Sequence, residues 1–212
     1  MSQLQLVIGN KNFSSWSLRA WLAMELSGAA FEEVSIPLYA PNSRALLKAQ
    51  SPTGKVPVLK LAEGTIWDSL AIVEYLAEAY PDAGLWPAET LARAHARALC
   101  AEMHSGFLAL RRELPMDLRR RQRLKSTTAE AVEDIQRIQR LWRECRERYG
   151  QQGPYLFGTP TIADAFYAPV ASRFRSYGVE LSAEAAAYVE TIYAWPAFQR
   201  WLAEAETEEQ SA

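Results

Sequence analysis

The chain changes its hydrophobic periodicity once, between Pro81 and Pro87, and that change limits what it can fold into. Before it, strand-like and helix-like patterns alternate; after it, every periodic stretch is helical, which predicts two domains. Leu4, Leu6 and Ile8 mark a first strand, and Leu18, Trp21, Leu22 and Leu26 then keep helical spacing up to the stop signal Gly28. A strand over Phe31–Ile36, a short helix over Ser43–Ala49, a hairpin of Val56–Leu61 with Thr65–Trp67, and a helix opened by Asp68-Ser69 and stopped by Pro81 complete the first half. The predicted order is β-α-β-α-β-β-α, an α/β domain over residues 1–82 followed by an all-α domain over residues 83–212.

In the second half the spacing predicts one long helix over Glu89–Glu113, bounded by Pro115, and a second over Thr127–Tyr149, bounded by Gly150. A third runs over Thr161–Tyr177 to Gly178, and two shorter ones cover Ala183–Tyr193 and Pro196–Glu206. With 212 residues and 49% apolar side chains, the chain can bury a substantial core.

Charge excludes several classes of function. Lys plus Arg number 23 against 25 Asp plus Glu, a net of −2, so nothing pulls the chain toward nucleic acid or an anionic membrane. The single basic cluster, Arg119-Arg120-Arg121 with Arg123 and Lys125, reads as a solvated segment between helices, although it could be a phosphate patch. No secretory signal or membrane span is evident at the N-terminus, and the expected location is cytoplasmic. Cys100 and Cys145 stand alone with only His95 and His104 nearby, so a metal site and a disulfide are both poorly supported, and two buried free thiols are expected.

Three segments could carry chemistry. Ser14 and Ser15, in Ser14-Ser15-Trp16-Ser17, fall between the first strand and its helix, where free amides and the helix dipole favour an anion such as a thiolate. By position alone either serine reads as a helix cap before it reads as a catalyst. In Gly54-Lys55-Val56-Pro57-Val58 a proline opens a strand and leaves Val56 with unpaired backbone groups that a peptide could meet. Taken alone, that proline is expected to be trans on an edge strand. In Trp67-Asp68-Ser69-Leu70 the Ser69 hydroxyl and the first helix amides could hold a carboxylate, with Asp68 beside them for an ammonium; in isolation this too reads as an N-cap.

The three together, in this order, resemble the thioredoxin-like N-terminal domain of glutathione transferases, whose S-x-x-C or S-S-C-S turn, V-P strand start and E-S or Q-S helix start hold glutathione. Gly158-Thr159-Pro160-Thr161-Ile162-Ala163-Asp164 resembles the family's G-x-x-x-[ST]-x-A-D segment, so the resemblance spans nearly the whole chain. There Thr161 and Asp164 predict a capping box, which makes Asp164 structural. The resemblance implies that Ser14, with Ser15 as second candidate, stabilises the glutathione thiolate. It further implies that the Val56 backbone pairs with the cysteinyl part, that Lys55 and Pro57 also contact glutathione, and that Asp68 and Ser69 form the γ-glutamyl site. A small, mostly apolar electrophile is then expected between the first turn and a helical face bearing His104, Phe107, Leu108 and Arg111. His104, Phe107 and Arg111 are the candidate acceptor contacts, and His104 and Arg111 could orient a polar or anionic group.

Two departures from the serine-type zeta pattern stand out. Trp16 replaces a cysteine, and the following arginine pattern survives only as Leu18-Arg19-Ala20, which points away from maleylacetoacetate isomerase. Asp68 replaces the usual Glu or Gln. The resemblance implies a homodimeric glutathione transferase of detoxifying type that needs no metal, with glutathione as co-substrate. The alternatives are a non-catalytic transferase-like regulatory protein and a glutathione-dependent isomerase.

Overall fold

The computed structural model describes residues 4–123 and 126–208. Its first half holds β1 (Leu4–Gly9), α1 (Ser15–Ser27), β2 (Phe31–Ile36), α2 (Ser43–Gln50), β3 (Val58–Lys60), β4 (Thr65–Trp67) and α3 (Ser69–Ala79). The strands form one sheet in the order β2-β1-β3-β4. β1 pairs parallel with β2, Leu6 opposite Glu33, and antiparallel with β3, Leu6 opposite Leu59. The element order is the predicted one, because each turn is punctuated by a residue suited to it: Gly28, for example, ends α1 in a left-handed conformation at φ 70°.

The second half is helical: α4 (Thr90–Ser105), α5 (Leu108–Glu113), α6 (Ala129–Tyr149), α7 (Ile162–Tyr177), α8 (Ala183–Ala194) and α9 (Pro196–Thr207). The single helix expected over Glu89–Glu113 is two. Gly106 leaves the helical region at ψ −166° and Phe107 takes a left-handed φ of 57°. The Phe107 ring is thereby turned into the core, and Arg111 binds back to the end of α4. Its Nε donates to Gly106 O at 3.0 Å and an Nη to Met103 O. A cation at a helix C-terminus is favourable. Gly106 was the available signal for this break.

α1 is buried on nearly all sides. The sheet covers one side, α3 another, and α7 of the second half covers the rest. α7 is itself buried from Ile162 through Phe174, which makes it the axis of the helical half. Truncating Leu18, fully buried between these layers, would cost about 2–5 kcal/mol. The capping box forms as expected at Thr161 and Asp164. Asp164 is fully buried and also accepts from Leu156 N–H at 3.1 Å and the Tyr188 hydroxyl at 2.9 Å. Burial raises its carboxyl above the usual range, partly offset by these donors. Cys100 and Cys145 are buried free thiols, each pushed up by burial. No helix among the described residues is long and apolar enough to cross a membrane.

Candidate active site

The turn from β1 to α1 is fastened from several sides. Asn10 O accepts from Ser14 N–H at 2.8 Å, and Asn10 Oδ1 accepts from Leu38 N–H at 2.6 Å. Lys11 is buried, pairs with Glu33 at 2.7 Å and with Glu204, and lies 5.1 Å from the Trp201 ring centre. Asn12 donates to Asp117 at 2.9 Å and accepts from Arg119 N–H at 3.0 Å. The two halves therefore hold this turn jointly, and Ser14 and Ser15 are placed by it.

Ser14 is the N-cap residue of α1, yet its hydroxyl caps no amide. Instead Ser14 Oγ donates to Ser17 Oγ at 2.7 Å, and Ser17 Oγ also accepts from Gly9 N–H at 3.0 Å. Ser17 is fully buried, whereas Ser14 and Ser15 line a cavity of about 680 Å³ together with Trp16. Of the turn's three serines, the structure brings two to open space.

A second cavity of about 470 Å³ adjoins the first, sharing Trp16, Lys55 and Val56, and continues to Pro57, Trp67, Asp68 and Ser69. The Val56-Pro57 peptide is cis, in place of the trans bond expected. Ladder pairing begins only at Val58, so Val56 stands outside it. Asp68 takes a φ of 75°, and its carboxylate accepts from Leu70 N–H at 2.8 Å, capping α3. The Ser69 hydroxyl is buried with no hydrogen-bond partner and faces this cavity. A buried hydroxyl left unmade costs free energy, so an orphan here marks a place for a ligand.

The expected acceptor contacts separate. Arg111 lines the larger cavity, Phe107 belongs to the core, and His104 lines neither cavity. His104 instead reaches Asp68, Nε2 to Oδ2 at 3.3 Å, and lies edge-on to Trp16 with ring centres 5.0 Å apart. Burial lowers its pKa, with Asp68 opposing and Arg19 and Arg111 adding to the shift. Leu108 is exposed.

Among the wall residues missed by the sequence reading are Phe13, Tyr39, Asp117, Arg120, Arg173 and Tyr177. Arg173 is buried on α7, donates to Leu114 O at 2.8 Å, and is pushed down to about 9, first by burial and then by Arg111. An arginine on the buried face of an apolar helix was the signal for it. The basic cluster is only partly the solvated segment expected. Arg119 is tied to Ala205 O at 2.7 Å and Arg120 lines the cavity, while Lys125 lies outside the described residues. Arg19, fully buried, has no hydrogen-bond partner; it stacks 4.3 Å from the Trp16 ring centre and 4.8 Å from that of Phe166. Burial holds it well below its ordinary value, and Arg111 and Arg173 push the same way. Arg111 and Arg173, which line the larger cavity, thus both act against the charge on Arg19, while Asp134 opposes the lowering of Arg111 by burial. Among the described residues no group of three or more His, Cys, Asp or Glu side chains is placed to hold a metal.

Residues 13–79 match the glutathione S-transferase N-terminal domain, and residues 117–204 the glutathione S-transferase C-terminal domain. A probable maleylacetoacetate isomerase from Caenorhabditis elegans is 37% identical over 97 residues, 46% of this chain; the match spans 45% of that relative's length. Among solved structures, a glutathione transferase homolog from Burkholderia GL BGR1 with bound glutathione superposes with TM-score 0.74 and 25% identity, covering 98% of this chain and all (100%) of the other. A holo maleyl pyruvate isomerase, a zeta-class bacterial glutathione S-transferase, superposes with TM-score 0.75 and 25% identity, covering 98% and 100%. With both domains matched and the whole fold shared, the chain belongs to the glutathione S-transferase family.

Proposed function

We propose that the chain is a glutathione transferase in which residues 1–82 bind glutathione and a serine hydroxyl stabilises its thiolate. The observation that carries this reading is the orphaned Ser69 hydroxyl at the start of α3, facing a cavity that runs past Val56 to Trp16 and opens onto Ser14 and Ser15. The α-carboxylate of the γ-glutamyl group would accept from Ser69 and the first α3 amides, and its ammonium would meet Asp68. Val56 would pair with the cysteinyl backbone, and Lys55 lines both cavities where a terminal carboxylate could lie.

The thiol then falls at the N-terminus of α1. Ser17 already accepts a fixed backbone N–H from Gly9. Its own O–H can turn to donate to Ser14, freeing the Ser14 O–H to point into the cavity. The relay Gly9 N–H to Ser17 to Ser14 to thiolate polarises each link in one direction. A free thiol of pKa about 8.5 is drawn down by such donors and by the helix dipole. The thiolate attacks the acceptor carbon, an S–C bond forms, and the leaving group departs with its electron pair.

Arg111, Arg120 and Arg173 on the wall outnumber its one carboxylate among the described residues, Asp117, and favour an acceptor that carries a carboxylate, which would offset the push of Arg111 and Arg173 on Arg19. This narrows the mostly apolar electrophile expected from the sequence to one with an apolar body and an anionic end. It also supports a second reading, glutathione-dependent isomerisation of a cis-unsaturated carboxylic acid. There the thiolate adds to the double bond, the resulting single bond turns, and elimination regenerates glutathione. A homodimer and a cytoplasmic setting follow from the family resemblance; sedimentation at micromolar concentration reads the first.

Calorimetry with glutathione tests the reading. Micromolar-to-millimolar affinity that weakens about tenfold in Ser69→Ala supports it. No heat at millimolar ligand refutes it and leaves the non-catalytic alternative.

A further inference from the structure

Outside the cleft lies another cavity, of about 470 Å³, walled by Arg120, Arg121, Arg123, Arg175, Tyr193 and Leu202, with Glu206 as its one lining carboxylate among the described residues. We propose that this cavity binds a compact organic dianion of the phosphate monoester class, and that Arg120 couples its occupancy to the catalytic cleft.

The charge distribution carries the first part. The whole chain is slightly acidic, yet four guanidiniums converge here from two elements, three from the segment before α6 and one from α7. Glu206 pairs with Arg121 at 2.7 Å, and Arg175 pairs with Glu190, which is not on the wall. Among the described residues two carboxylates therefore stand against four cations, while Arg121 also donates to Leu118 O at 2.7 Å and Arg120 to Gln122 O at 3.2 Å. Arginines from two segments lining one cavity suit a tetrahedral oxyanion, which can accept from their remaining N–H donors and compete with the carboxylates for the rest. The Arg175 guanidinium is held 3.5 Å above the Tyr193 ring centre, so its plane is set before any ligand arrives. Leu118, Leu202 and Tyr193 supply an apolar floor for the ester group.

Gly178 makes the room. It ends α7 at a left-handed φ of 61°, and a Cβ there would stand 2.7 Å from Arg123 Cγ. Any side chain at this position would both strain the turn and displace Arg123 from the wall.

Arg120 lines this cavity and the cleft alike, and its guanidinium lies 4.3 Å from the ring centre of Tyr177, which also lines the cleft. It forms the partition. A dianion on the outer side draws the guanidinium away from the inner side, which removes one cation from the acceptor pocket. This coupling rests on the anionic-acceptor reading above; the binding site does not.

The test is calorimetry of the full chain with phenyl phosphate, with and without saturating S-methylglutathione. Arg121→Gln/Arg175→Gln changes two solvent-facing arginines that line only the outer cavity. Expected is a dissociation constant that rises about tenfold or more in the double variant, with glutathione affinity and basal turnover unchanged. Equal affinity in wild type and double variant would place the anion in the cleft and overturn the proposal, as would no heat at millimolar phenyl phosphate. The difference between variants is read even if glutathione does not bind, so the two readings fail separately. For the coupling, phenyl phosphate should raise the KM of a carboxylate acceptor in wild type and not in the double variant; a KM unmoved in wild type while phenyl phosphate binds would overturn it.

Discussion

Ser14 Oγ and Ser17 Oγ stand 2.7 Å apart, and only one of them can be reached from the cleft. Ser17 is fully buried and anchored to Gly9 N–H at 3.0 Å, so it sets the direction in which Ser14 can donate. Ser17→Ala should raise the pKa of the bound thiol and lower kcat/KM about tenfold, with glutathione affinity little changed. The same change strands the Gly9 amide and should cost about 1–3 kcal/mol in denaturant unfolding. A pH–rate profile identical to wild type would show that Ser17 only packs.

Asp68 joins the two halves of the chain beside the cavity lined by Val56 and Ser69. It caps α3 through Leu70 N–H at 2.8 Å and meets His104 of α4 at 3.3 Å. Asp68→Ala should lose about 0.5–2 kcal/mol of helix capping, seen as a lower denaturation midpoint. It should also weaken glutathione about tenfold, while a glutathione analogue lacking the γ-glutamyl amino group binds wild type and variant alike. If the analogue is as sensitive as glutathione, the ammonium contact is absent.

Glu113 should make the fold acid-sensitive. Its carboxylate accepts from Thr128 N–H at 2.9 Å and from the Thr127 and Thr128 hydroxyls, which ties the end of α5 to the start of α6. These bonds, led by the Thr128 amide, hold its pKa down at about 2 against an ordinary 4.5. A depressed carboxyl contributes stability that is complete above pH 4.5 and lost as pH falls toward 2. Urea melts of wild type and Glu113→Gln should therefore differ at neutral pH and converge below the wild-type value of about 2. A gap that persists unchanged at the acid end would assign the effect to packing.

The carboxylate-end reading of the acceptor pocket separates Arg111 from a purely structural role. Arg111→Met should raise KM about tenfold for an acceptor bearing a free carboxylate and leave KM for its methyl ester nearly unchanged. Because Arg111 also binds the carbonyls ending α4, some loss of stability is expected as well. Equal KM effects on acid and ester would reduce Arg111 to that structural part.

Local signals made the helices that carry Ser14 and Ser69 readable. Gly28, Asp68 and Thr161 each end or begin a helix by rules that act within one turn, and those rules placed α1, α3 and α7. The wall of the larger cavity was not readable, because it is assembled from distant segments. Arg120, Arg173 and Tyr39 line one cavity from segments spread over more than a hundred residues, and only tertiary packing brings them together. The helix over Glu89–Glu113 was overextended because Phe107, Leu110 and Arg111 keep helical spacing through Gly106; the core's demand for the Phe107 ring overrides it. His104 was assigned to the acceptor for the same reason, since an unbroken helix would have put it on one face with Arg111.

The central claim is that the Ser14 hydroxyl donates to a thiolate held at the N-terminus of α1. It is tested most directly by titrating the ultraviolet absorbance of the bound glutathione thiolate in wild type, Ser14→Ala and Ser15→Ala, each saturated with ligand. Loss of one such hydrogen bond predicts a rise of about one pKa unit in Ser14→Ala, roughly 1.4 kcal/mol, and a smaller change in Ser15→Ala. An unchanged thiol pKa in Ser14→Ala with glutathione still bound would contradict the account.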